Sequence, residues 1–176
     1  SSGHVLLCAT KTDGNEQIIG IWEKGAIFGK VGSVIAQRFT SISIQALSDC
    51  VVYRVDCKQF QNLLATEVAV NAAYMNQVAF NNIYILNQLL TLGEKNIYVR
   101  IISELMLLAD YYGDLDNDTC TLRVVLTQEQ LAEILCISRE YVSKMLKKLK
   151  LNNLIVVDGE GRITIPSLTR LRQEME

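Results

Sequence analysis

Between Arg139 and Lys150 stand five basic side chains and one acidic one, in a chain whose formal net charge is −2. Whole-chain charge reports solubility and steering, so the local excess is the informative quantity, and a helix edge with this asymmetry suits a polyanion. Val142, Met145, Leu146 and Leu149 recur at three- and four-residue steps, which gives that stretch one apolar face and leaves the others basic. Arg139 carries the planar fork that matches O6 and N7 of a guanine, and Glu140 can accept from a cytosine amino group. One turn later Lys144 reaches a base or a phosphate, while Lys147, Lys148 and Lys150 at most add charge near the backbone of a duplex.

Other chemistries find little material. The five cysteines, Cys8, Cys50, Cys57, Cys120 and Cys136, form no CxxC pair, and the single histidine is His4, so neither a zinc site nor a disulfide framework is signalled. An odd cysteine count with no secretory leader fits a reducing cytoplasm, and the thiols read as small apolar core residues. No histidine is placed to serve as a partnered base, so no enzymatic site is expected. The acidic run Asp114-Leu115-Asp116-Asn117-Asp118 lacks the spacing and bidentate Glu of a calcium loop and reads as a solvated turn.

The elements that must hold Arg139 in place are legible from their start signals. Thr127 stands three residues before Gln130, a capping-box arrangement, and Leu131, Ile134 and Leu135 supply the buried face of the helix that follows. A second start at Ser138 opens the basic helix, taken as 138–151. Two helices joined by so short a connection form a helix-turn-helix, whose second helix lays its N-terminal side chains in the major groove of double-stranded DNA. Leu154 to Val157, the turn Asp158-Gly159-Glu160-Gly161 and Arg162 to Ile165 predict a hairpin wing ended by Pro166, with Arg162 placed for a phosphate. The candidate DNA-contacting set is Ser138, Arg139, Glu140, Tyr141, Ser143, Lys144 and Lys147, with Thr127, Gln128 and Arg162.

Upstream the pattern changes twice. Residues 1 to about 60 read as short strands, within a partial effector-sensing roll taken as 1–66: Gly3 to Thr10, a Lys11–Asn15 turn containing Asp-Gly, Ile18 to Trp22, and Ser41 to Ala46, where Ile42, Ile44 and Ala46 share a face that a half-buried strand would cover. Residues 67–93 read as one long helix. No charge lies between Glu67 and Glu94, but seven carboxamides there would each need an internal partner in lipid, which argues against a membrane span. Read by sevens, Met75, Asn82 and Leu89 form one track and Val78, Ile85 and Leu92 another, a seam that predicts a parallel homodimer with one polar register residue. The alternative is that the stripe packs on its own domain. Residues 94–176 then carry the winged helix-turn-helix, with a first helix ended near Gly113.

The stretch LTQEQLAEILCISREYVSKMLKKLKLNNLI resembles the helix-turn-helix of the cyclic-AMP receptor protein / fumarate-nitrate regulator (CRP/FNR) family, and KTDGNEQIIGIWEKGAIFGKVG resembles its effector-domain roll. The resemblance implies an α+β chain: an N-terminal β-roll of the jelly-roll, cyclic-nucleotide-binding type, a long dimerisation helix and a C-terminal winged helix-turn-helix. It implies a bacterial transcription regulator that answers a small-molecule effector, reads a palindromic site and meets RNA polymerase. Family chains carry further strands ahead of the point matching Ser1, so the first strands of the roll are expected to be lacking here. The positions matching the family's ribose-binding Gly-Glu pair and phosphate-binding Arg-Ser pair read Gly29-Lys30 and Thr40-Ser41, and those meeting the adenine read Ile85 and Leu86. Without the arginine fork the residues speak against cyclic AMP, and with no clustered cysteines they do not support an iron-sulfur cluster. Where the family often has glycine at the helix-turn-helix turn, this chain has Cys136, at a cost of roughly 1 kcal/mol for a left-handed conformation. A competing reading is a sensor module for a small molecule or redox state, with Cys8, Cys50 or Cys57 as the switch and mainly a protein contact as output.

Overall fold

Alternating apolar residues around a glycine-bearing turn give the first two strands, β1 (Val5–Thr10) and β2 (Glu16–Trp22), which pair antiparallel. They belong to a computed structural model that describes residues 3–11, 14, 16–28 and 42–175. The chain divides into two compact units, Ser1–Leu86 and Asn87–Glu176.

In the first unit β3 (Ile42–Ala46) adds to the other edge of β1, so that the described strands run in the order β2-β1-β3. The register sets Leu6 opposite Ile21 and Gln45, and Cys8 opposite Ile18 and Ser43. Directly paired residues share a face, so the buried side of the sheet carries Leu6, Cys8, Ile18 and Ile21. Ile42, Ile44 and Ala46 fall on the other side and are exposed. The alternation expected of this strand is present, but the face expected to be covered is the open one. Gly20 makes room for the Trp22 ring, which a Cβ there would overlap. Trp22 in turn meets Tyr84 edge-on, with centroids 6.3 Å apart.

The last part of the segment taken as the roll is a helix, α1 (Cys57–Thr66), which begins a few residues before the strands were expected to end. Asp56 caps it, its carboxylate accepting from the backbone N–H groups of Lys58 and Gln59 at 2.9 and 3.2 Å. Next comes α2 (Val68–Gly93), uncharged throughout as expected. Part of its carboxamide content is structural: Asn71 Nδ2 donates to the Leu64 carbonyl at 2.9 Å, and Gln77 Oε1 accepts from the Ile27 N–H at 3.1 Å. No helix among the described residues is long and apolar enough to cross a membrane.

The second unit is built on α3 (Ile97–Tyr112), capped by Asn96 and buried through Ile101, Ile102, Leu105 and Leu108. It stops at Gly113, where a Cβ would collide with the Ala109 carbonyl and the Cys120 sulfur. The acidic run expected to be a solvated turn is exposed throughout, but only Asn117 and Asp118 make the turn, with Asn117 at φ 55°; the residues before them form a strand, β4 (Gly113–Asp116), hairpinned to β5 (Thr119–Leu122). Asp118 has a structural task. Its carboxylate accepts from the Ser167 hydroxyl and from the backbone and hydroxyl of Thr169, which together hold it below the usual carboxylate range and tie the hairpin to α6 (Leu168–Gln173). Between β5 and the wing strands β6 (Val156–Val157) and β7 (Ile163–Ile165) run α4 (Gln128–Leu135) and α5 (Arg139–Leu151). The sheet order is β4-β5-β7-β6.

Candidate nucleic-acid interface

Two helix starts fix the geometry of the motif. At the first, Thr127 Oγ1 accepts from the Gln130 N–H at 3.1 Å while Gln130 Oε1 accepts from the Thr127 N–H at 2.9 Å, the reciprocal pair expected of a capping box. The second is Ser138, whose hydroxyl accepts from the Tyr141 N–H at 3.4 Å. Between them Cys136 takes the left-handed conformation at φ 54°, ψ 42°, and the Ile137 N–H returns to the Ala132 carbonyl at 3.1 Å to close the turn. Cys136→Gly is therefore expected to raise unfolding free energy by a few tenths to about 1 kcal/mol, the strain relieved being partly offset by a freer unfolded chain. A urea titration measures it.

On α5, Val142, Leu146 and Leu149 are buried, and the opposite stripe of Glu140, Ser143, Lys144 and Lys147 faces solvent. Arg139 and Tyr141 are exposed as well. The Arg139 guanidinium lies 3.8 Å from Glu129, an exposed pair that contributes little to stability and leaves the fork available. Hydrogen bonds from its own backbone N–H and from the Ser138 hydroxyl hold the Glu140 carboxyl below the usual carboxylate range, so near neutrality it is an acceptor only.

The other candidates are more varied in setting. Thr127 and Gln128 are exposed at the start of α4. Arg162 is half-buried beside the wing turn, where Asp158 Oδ1 accepts from the backbone of Glu160 and Arg162 at 2.9 Å each and Gly161 turns at φ 86°. Lys148, expected only to add charge, has a partner: its ammonium sits 3.8 Å over the Tyr98 ring. The Tyr98 hydroxyl donates to Glu174 at 2.8 Å, and burial together with that carboxylate pushes its pKa up to about 12. Nothing in the spacing of α5 signals this contact, because Tyr98 lies on another helix.

Of the residues tied to an effector, Gly29, Lys30, Thr40 and Ser41 lie outside the described residues. Ile85 and Leu86 are exposed on α2. The first unit has an open cleft of about 500 Å³ lined by Trp22, Phe28, Tyr53 and Phe60 among others, and neither Ile85 nor Leu86 lines it. The cysteines divide: Cys8 and Cys120 are buried as core thiols, Cys50 is half-buried, and Cys57 and Cys136 are exposed because they stand at a helix start and a helix end.

A Crp-like helix-turn-helix domain model matches residues 99–174, and a cyclic nucleotide-binding domain model matches residues 1–67. Among curated proteins, the chain is 25% identical to an anaerobic regulatory protein of Bacillus subtilis, over 99% of this chain and 74% of that one. It is 24% identical to the cAMP-activated global transcriptional regulator CRP of Pasteurella multocida, over 90% of this chain and 75% of the other. Its fold is shared with a CooA mutant from Carboxydothermus hydrogenoformans, at a TM-score of 0.81 and 22% identity, covering 99% and 76% of the two chains.

Proposed function

Since the chain belongs to the CRP/FNR family of transcription regulators, we propose that it binds a two-fold symmetric DNA site as a homodimer and reads each half-site with α5. The observation that carries this reading is the outward stripe of α5, basic and capped, set back to back with a buried apolar stripe. Arg139 and Glu140 read base edges in it, Lys144 reaches a base or a phosphate, and Lys147 and Arg162 contact backbone phosphates. Ser138, Tyr141, Ser143, Thr127 and Gln128 line the approach.

The dimer forms along α2. Met75, Leu86, Leu89 and Leu90 are 56%, 59%, 60% and 76% exposed in the single chain, apolar surface that a partner would cover. Val78 and Leu92 are half-buried within their own chain. This moves the seam by one position: it keeps Met75, Asn82 and Leu89 and takes Ala79, Leu86 and Gly93 as its second track. The small residues Ala79 and Gly93 let two helices approach closely.

The effector is a small molecule other than cyclic AMP, because the phosphate-binding arginine is replaced by Thr40. RNA polymerase is the partner in activation or repression. The cysteines stand as thiols, which supports a reducing compartment, the cytoplasm. Selection of bound sequences from random duplexes, with and without metabolite pools and cyclic AMP, tests the reading. An enriched palindrome with half-sites about one helical turn apart is expected, responsive to a pool and indifferent to cyclic AMP. No enrichment would overturn it.

A further inference from the structure

One acidic side chain of the second unit has no task in DNA binding. Glu104 is 0% exposed, in the middle of α3. Its Oε1 accepts from Gln88 Nε2 on α2 at 3.1 Å, and its Oε2 is buried with no hydrogen-bond partner among the described residues. A carboxylate so placed would be a desolvated charge with one hydrogen bond, which an apolar interior strongly disfavours. A neutral carboxylic acid costs far less and carries an O–H that can return a hydrogen bond to the same amide.

We propose that Glu104 is a proton-held latch between α2 and α3: the folded protein keeps its carboxyl neutral, and loss of that proton to solvent loosens the Gln88 joint. Burial pushes its pKa up to about 8, with the Gln88 hydrogen bond pulling the other way. Among the described residues the surroundings supply no counter-charge. On α2 there is no charged side chain, only Tyr74 and Tyr84 as titratable groups. Along α3, Arg100 is committed to the carbonyls of Glu94 and Leu135, Tyr111 accepts from Asn87, Tyr98 donates to Glu174, Tyr112 is buried and Asp110 is exposed. From β5 comes only the buried Cys120, whose own pKa burial raises. Every Asp, Glu, Lys and Arg on β4, α4, α5 and α6 is exposed.

The direction of the pH effect follows. Burial thus separates the ordinary carboxylate pKa of the unfolded chain, 4.5, from one pushed up to about 8 in the folded protein. The carboxyl's stabilising contribution is complete below the first value, declines as pH rises between the two, and is gone above the second. The slope is one proton's worth, about a tenfold fall in the folding constant per pH unit. This goes beyond the DNA-reading function proposed above. An effect on DNA affinity would rest on that reading, whereas the titration and melting of Glu104 do not.

The test uses the full chain. Carbon-13 NMR of the side-chain carboxyls follows Glu104 with pH, and thermal melts compare the parent with Glu104→Gln, which imitates the protonated acid. We expect a resonance titrating near pH 8, missing in Glu104→Gln, and a parent that loses melting temperature relative to Glu104→Gln as pH rises from about 5 to about 8. Should Glu104→Gln fail to fold, Gln88→Leu serves instead: removing the amide moves the midpoint up, opposite to the change a loosened, water-exposed site would give. A Glu104 resonance titrating in the ordinary carboxylate range, or parallel melting curves, would overturn the proposal.

Discussion

Leu86→Glu is expected to give a folded monomer where the proposed dimer of the parent would form, and to lower affinity for a two-half-site operator by about 10² to 10⁴. Leu86 stands in the exposed apolar track of α2, so the substitution removes nothing from the core of its own chain. At a two-fold seam every substitution appears twice, and two carboxylates enter an apolar contact without a counter-charge. The loss in DNA binding comes from valency: one recognition helix must then hold a half-site unaided. Analytical ultracentrifugation gives the oligomeric state and fluorescence anisotropy the affinity. A Leu86→Glu protein that still sediments as a dimer would place the seam elsewhere on the molecule.

Arg139→Ala is expected to weaken the selected site by about 1 to 3 kcal/mol, roughly 5- to 150-fold, and to relax preference at one base pair per half-site. Its loss should leave the melting temperature unchanged, because the exposed contact with Glu129 at 3.8 Å contributes little. Lys147→Ala serves as the contrast. Loss of a phosphate contact weakens binding evenly across sequences and lowers the salt slope by about one. Binding by Arg139→Ala with parental affinity and sequence preference would remove Arg139 from base readout.

The helix-turn-helix was legible because its determinants are local. Thr127 with Gln130, the Ser138 cap and the apolar steps of α5 all lie within a few residues of what they control, and the structure places them as the spacing predicts. Features set by distant partners were harder to see. The covered face of β3 depends on its register against β1, and Lys148 on a tyrosine fifty positions upstream in another helix. Alternation alone cannot decide either. Charge hid β4, because Asp114 and Asp116 on an exposed edge resemble a turn. The cap at α1 was present as Asp56 three residues before Gln59, a signal obscured by the β-branched run ahead of it. Heptad reading of α2 named Met75, Asn82 and Leu89, which are exposed in the single chain, together with Val78 and Leu92, which are half-buried, because a helix apolar on most sides gives spacing little to choose by. Glu104 escaped notice because one charge inside an apolar run looks like a surface residue until the neighbouring helix is in place.

The order β4-β5-β7-β6 has a consequence for how the protein is made. Thr121 of β5 shares a hydrogen bond with Thr164 of β7, 43 residues later, and the whole DNA-reading motif lies inside that loop. A nascent chain can form α4 and α5 locally as they emerge, but the sheet that backs them stays open until β7 has been synthesised. Closing so long a loop slows folding more than it weakens the product. Each newly made subunit therefore acquires its grip on the genome late in synthesis, well after the helix on which it would dimerise has left the ribosome.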